Sequence, residues 1–461
     1  MPLLKKGDIV GDATGAATRL DRLPLTPLHW GILLLSSLGL LFDVAEAGLS
    51  NALSAIFSAP PLQVEPSQLS LLLASVFIGG AIGAPLLGWL ADRRGRRLAL
   101  AIALLVLTVT SLLAATSTSI EWLTFYRTLS GIAMGSYPVL MAAYLSDVLP
   151  PKRRGTLILV AAAIGFLGAP AVIFLIWWLT PLQPLGFEAW RWSLSLGAIG
   201  SAIVGALVLL LPESPRWLAA TGRHTQADAA CRRFELSAGI TIDTPTIQTM
   251  PSPESPTQHD TKAERFWSSA GRDMRWRAVL FCTLELLCPW ATIGFPLLAG
   301  AVLVQQGFRV NDSLLYVGVA MFGPTAGVLI AALLVDRLER WKALALCGVV
   351  MALTGLAFAA SNAPLPLMAT GLFFQMLGAI YIVVVSIYTA EAFPTQIRAV
   401  VSSTAWAINR VVSALVPLAL LPLLKSAGTL TMFSVIAVAL VASATLVSIF
   451  GPRGLTGRAL R

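Results

Sequence analysis

GWLADRRGRR, Gly88 to Arg97, joins two long apolar runs through a tight cluster of charge. A fainter copy, ALLVDRLERW, Ala332 to Trp341, stands far downstream. Asp92 and Asp336 are 244 positions apart (336 − 92). A second pair of stretches repeats the interval. Asp147-x-x-Pro150-x-x-x-Arg154 and Glu391-x-x-Pro394-x-x-x-Arg398 are also offset by 244 (391 − 147). Two separate motifs with one spacing indicate a duplicated unit, and that reading decides the fold.

The chain has 461 residues, 56% of them hydrophobic and 12% charged. Soluble domains carry about 25% charge. Apolar runs of about 20 residues recur throughout, the length that crosses a ~30 Å hydrocarbon core. Short alternating segments of the β-barrel kind are absent. The pattern predicts an all-α polytopic membrane protein with spans near 29–56, 67–91, 97–117, 121–148, 155–180, 193–211, 276–304, 312–335, 341–361, 365–391, 398–423 and 428–450. Twelve spans form two six-helix halves, 29–212 and 276–450, with tails 1–28 and 451–461. The linker, 213–275, holds a short helical stretch, QADAACRRFEL, followed by Pro- and Ser-rich PSPESPTQHD. The N-terminal stretch lacks the apolar region of a signal peptide and reads as a short mobile tail.

Of the 32 Lys and Arg residues, 27 fall in the tails, the linker and the loops on the tail side. Arg191, Arg309 and Lys425 fall opposite; Arg127 and Arg410 lie inside spans. Basic loops face the cytoplasm, so both termini are expected there, in the plasma (inner) membrane. The net charge of +9 is thereby explained without nucleic acid. Four cysteines and three histidines show no metal-type spacing. No metal or cofactor is expected, and no nucleophile constellation or nucleotide loop points to an enzyme.

The motifs resemble those of major facilitator superfamily transporters. GWLADRRGRR is similar to that family's G-x-x-x-D-R-x-G-R-R loop, and YRTLSGIAMG, Tyr126 to Gly135, resembles its R-x-x-x-G-x-x-x-G helix motif. PESPRWL, Pro212 to Leu218, and AEAFPTQIRA, Ala390 to Ala399, resemble sugar porters and organic or aromatic acid/proton symporters. Two departures stand out: Glu339 replaces a Gly, and Asp147 replaces the commoner Glu. The resemblance implies gating roles for Gly88, Asp92, Arg93, Gly95, Arg96, Arg97, Asp147, Arg154, Asp336, Arg337, Arg340, Glu391 and Arg398. It also implies latches between helices on the tail side.

Charges at membrane depth are costly, so each is a functional candidate. Asp43, Glu46, Arg127, Glu285 and Arg410 are the group. At ~1.5 Å per residue, Asp43 lies ~21 Å above the inner boundary and Arg127 ~9 Å below the outer one, the same height in a ~30 Å core. Asp43 is therefore expected to meet Arg127. Glu46, three residues on, shares its helix face and remains the less balanced acid, able to carry a proton. The symporter resemblance implies a D-x-x-D-type coupling pair, here Asp43-x-x-Glu46. Arg410, in TAWAINRVVSALVP, has no acid beside it in sequence. It is expected to bind a substrate carboxylate or to pair with Glu285. Gln375, Asn409, Tyr381, Trp290 and Trp406 are further substrate candidates.

The expected function is proton-coupled symport of a small organic carboxylate, aromatic ones included, by alternating access of the two halves. A monomer is expected, with substrate, protons and bilayer as partners. A sugar/proton symporter, drug efflux and a non-transporting receptor of the same fold are the alternatives.

Overall fold

The computed structural model describes residues 16–239, 272–334 and 338–454. A short helix, α1 (Ala16–Arg22), precedes the first span. The first half comprises α2 (Pro27–Ile56), α3 (Pro66–Arg94), α4 (Arg96–Ala115), α5 (Ile120–Val148), the pair α6 (Arg154–Phe166) and α7 (Gly168–Leu179), and α8 (Ala189–Val208). Two linker helices follow, α9 (Pro215–Ala220) and α10 (His224–Ser237). The second half comprises the pair α11 (Arg272–Thr292) and α12 (Gly294–Gln305), the pair α13 (Val310–Ala320) and α14 (Gly323–Leu334), α15 (Arg340–Ala360), α16 (Pro364–Ala392) and α17 (Thr395–Phe450).

As one rod α17 would be ~84 Å long, far more than one membrane core. Gly428, with φ of 84°, breaks it into two arms, 395–427 and 429–450. With that break the described helices make twelve crossings, so Ala16 and Gly454 share one side. We call it the tail side and the opposite one the far side. Spans 5, 7 and 8 are each broken once, near Leu167, Ile293 and Met321.

Local chemistry sets the helix ends. Thr26 caps α2: its Oγ1 accepts the His29 backbone N–H at 3.4 Å, and His29 Nδ1 accepts the Thr26 N–H at 3.1 Å. Pro27 occupies the first turn, where a missing N–H costs nothing. Gly95, with φ of 112°, turns the chain between α3 and α4, a conformation that a Cβ disfavours. α3 and α5 approach closely. A Cβ on Gly83 would stand 2.1 Å from the Ile132 carbonyl oxygen, and one on Gly131 2.2 Å from that of Val76. Small residues at such seams let backbones touch.

Burial shows how the halves meet. One apolar core runs from Leu53, Leu72 and Ile173 of the first half into Phe295, Leu298 and Phe374 of the second. Its first-half members lie at the far ends of their helices. The tail-side core of the first half, around Leu33, Leu104 and Tyr144, includes no second-half residue among the described ones. A smaller seam at Ala163, Val328 and Ala379 joins α6 to α14 and α16. The far side is therefore the tightly closed side.

The tail departs from expectation. α1 docks on the linker instead of standing free. Arg19 bonds Asp228 at 2.6 Å and Glu235 at 2.8 Å, and Asp21 pairs with Arg216. The hydrogen bond to Glu235 raises the Arg19 pKa above its ordinary value. Leu20 and Leu23 are buried beside Cys231 and Phe234, and burial pushes the Cys231 thiol up to about 12. Charge alternation in RLDR gave no hint of this, because the partner surface lies 195 to 216 residues away. Most of the Pro- and Ser-rich linker stretch falls outside the described residues.

Candidate functional site

The first-half charges form a closed cluster. Glu46 and Ser50 are one turn apart on α2 and face Arg127 of α5. Arg127 Nη1 pairs with Glu46 Oε1, and Nη2 donates to Ser50 Oγ and, at 3.1 Å, to the Glu46 carbonyl. Ser111 of α4 donates to Glu46 Oε2 at 3.2 Å. Arg127 is 1% exposed and Glu46 6%.

This corrects the expected pairing of Asp43 with Arg127. Depth arithmetic places residues only to within about a turn, 5.4 Å, and says nothing of azimuth. Asp43 and Glu46 differ by three residues, so their heights were nearly equivalent, and rotation decided the partner. Ser50, four residues after Glu46, was the available signal; it repeats the helical spacing on the Arg-facing side. Nothing in sequence marked Ser111.

Asp43 is the acid left over. It is 4% exposed, and its Oδ1 has no hydrogen-bond partner. It lies within electrostatic reach of Glu46, of the Tyr137 hydroxyl and, across the interface between halves, of Arg410. Arg410 stacks its guanidinium on the Trp406 ring, 4.4 Å from the centroid, and its Nε also has no partner. Glu285 accepts the Asn409 amide at 2.8 Å and contributes to the field at Arg410. No ion pair within 4.0 Å involves Arg410 among the described residues. Asp43, Asn409 and Glu285, all buried, thus lie within bonding or electrostatic reach of the half-buried Arg410, which rests on the half-buried Trp406, and the group spans both halves.

The other candidates separate. Gln375 is buried and donates to Met321 Sδ at 3.3 Å. Tyr381 is fully buried with its hydroxyl taken by Ser443 on the second arm of α17, so it ties spans 10 and 12. Trp290 packs on the apolar core.

The family model described as "Sugar (and other) transporter" matches residues 36–455. The chain belongs to that family. It is a major facilitator superfamily transporter of the sugar porter branch, and a multi-pass membrane protein. The inner membrane metabolite transport protein YdjE of Escherichia coli strain K12 is 28% identical over 460 residues, covering 95% of this chain and 96% of that one. The niacin transporter NiaP of Acinetobacter baylyi is 26% identical over 395 residues, covering 85% and 87%. In fold, the inward-open xylose transporter XylE of E. coli matches with a TM-score of 0.74 at 20% identity, covering 94% of this chain and 98% of XylE.

In this transporter the tail-side motif residues tie helices within each half. Arg96 bonds Asp92 at 2.6 Å and reaches Asp147 at 3.9 Å. Arg97 donates to the Leu211 carbonyl at 2.9 Å, near the end of span 6. Arg93 lies on Trp89, and Gly88 has open space around it. Arg340 pairs with Glu391 at 2.9 Å. Glu339, at the departed Gly position, pairs with Lys342 at 3.2 Å. Arg154 donates to the Leu149 carbonyl at 3.2 Å and Arg398 to that of Phe393 at 3.2 Å, so the repeat holds down to single hydrogen bonds. Asp336 and Arg337 lie outside the described residues. Asp92 is 69% exposed and bonded within its own half, as an unlatched tail side requires. Glu213 was missed: its Oε1 accepts the Arg97 N–H at 3.1 Å, and a Cβ on Gly95 would stand 2.3 Å from Oε2.

The Glu46–Arg127 pair carries a stability prediction. Glu46→Gln leaves a buried guanidinium uncompensated and should cost about 3–5 kcal/mol. Adding Arg127→Gln should recover much of it. Thermal unfolding of the purified variants checks this; equal melting points for wild type and the Glu46→Gln variant would contradict it.

Proposed function

We propose that the protein carries a small organic carboxylate together with a proton, with both termini in the cytoplasm and a single chain as the transport unit. Arg410 is the observation that carries this reading. A guanidinium held on an indole ring and free of close ion pairs is suited to receive a planar carboxylate. Trp406 offers a face for an aromatic substrate. With both acids ionised, Asp43, Glu285 and Arg410 sum to one negative charge. Protonating Asp43 removes it, and a bound monoanion restores it. Proton and anion therefore favour each other's binding, the thermodynamic requirement for symport. The similarity to NiaP supports the reading, since niacin is an aromatic carboxylic acid.

A sugar is the second reading. XylE is a proton:xylose symporter, and the buried amides of Gln375 and Asn409 could serve hydroxyl groups. A thermal-shift panel on the purified carrier separates the two. Aromatic and aliphatic monocarboxylates should raise the melting temperature, because a ligand that binds only the folded state stabilises it. Stabilisation by pentoses or hexoses with none by carboxylates would reject the carboxylate reading.

A further inference from the structure

We propose that Met321 is the clasp of the far-side gate: its thioether is a shared acceptor that ties the halves together and positions Gln375. Met321 sits in the break of span 8, between α13 and α14, and is 3% exposed. Asn51 Nδ2 of the first half reaches its sulfur at 3.6 Å, and Gln375 Nε2 of the second half at 3.3 Å. One amide from each half thus converges on one atom.

The surroundings make this a gate and not an isolated contact. Phe322, the next residue in the break, meets Phe174 of α7 with ring centroids 6.0 Å apart. On the other flank α2 and α12 touch: a Cβ on Gly300 would lie 2.9 Å from the Asn51 carbonyl oxygen and 2.9 Å from Ala55 Cβ. Opening the far side must draw α2 away from α12 and α13, so the Asn51–sulfur bond breaks once per cycle. Sulfur suits that duty. It is a weak, polarisable acceptor, and the side chain adapts its shape. The bond satisfies a buried amide in the closed state without making that state too deep to leave. Gln375 is held by the same atom, so gate closure and the placing of a candidate substrate group are coupled. The clasp does not depend on which substrate class is carried.

Leu182 and Leu365 are exposed at the far ends of opposite halves and suit spin labels. In an otherwise cysteine-free full-length chain in nanodiscs, Leu182→Cys and Leu365→Cys report the far-side opening by electron–electron distance. Met321→Leu keeps the bulk and removes the acceptor. It leaves the Asn51 amide, held against the sulfur only when the gate is closed, without its acceptor, and the long-distance population should rise about tenfold. Asn51→Leu removes the amide that needs the sulfur, so adding it to Met321→Leu should return the distribution toward the parent's, and Met321→Gln, which keeps an acceptor, should leave the gate closed. A Met321→Leu distribution identical to the parent's overturns the proposal. So does failure of Asn51→Leu to reverse the opening in the double variant, or an open gate in Met321→Gln.

Discussion

Replacing Arg410 with Ala is expected to weaken binding of an organic carboxylate by about 10- to 100-fold, the range for a lost charge-assisted hydrogen-bond pair. Neutral ligands of the same shape should lose little. Arg410→Lys keeps the charge but loses the planar fork and its stacking on Trp406. It should fall between the two, with aromatic substrates hurt more than aliphatic ones. Equilibrium binding of radiolabelled substrate measures all three. Unchanged affinity in the Ala variant would mean that the guanidinium balances Asp43 and Glu285 and never meets the substrate.

Asp43→Asn should abolish accumulation driven by a pH gradient and leave substrate counterflow intact. The reason is the division of labour between the two acids of α2. Glu46 is held by Arg127 and Ser111, whereas Asp43 Oδ1 has no hydrogen bond and shares a field with Arg410. Both Glu46 carboxylate oxygens are engaged, whereas Asp43 keeps an oxygen that has no partner and can bind a proton. Asn fixes Asp43 in its uncharged state, so exchange continues and proton-driven net transport stops. Counterflow and gradient-driven uptake in proteoliposomes separate these steps. Full accumulation in the Asn variant would remove Asp43 from coupling and return the role to Glu46.

Much of the architecture was legible because hydrophobic length and repeat spacing are properties of the chain itself. The twelve spans, the halves and the 244-residue interval could be read directly, and Arg154 and Arg398 make matching bonds. The breaks near Leu167, Ile293 and Met321 each precede a Gly and a Pro (Gly168 and Pro170, Gly294 and Pro296, Gly323 and Pro324), so a breaking signal was present; hydrophobic length alone ran straight across it. The site was legible in membership but not in wiring. Asp43, Glu46, Arg127, Glu285 and Arg410 stood out because charge in an apolar run needs a reason. Which acid met which Arg depended on helix rotation, and α2 offers charges separated by less than one turn. Met321 was invisible as a polar contact because a thioether looks apolar until two amides are seen against it.

The most direct test of proton-coupled carboxylate transport is internal pH in proteoliposomes loaded with a pH-sensitive dye. Adding an aromatic monocarboxylate outside, at equal pH on both sides, should acidify the interior of vesicles holding wild type and not of those holding the Asp43→Asn variant. Acidification on adding xylose or galactose, with none on adding any carboxylate, would contradict the account.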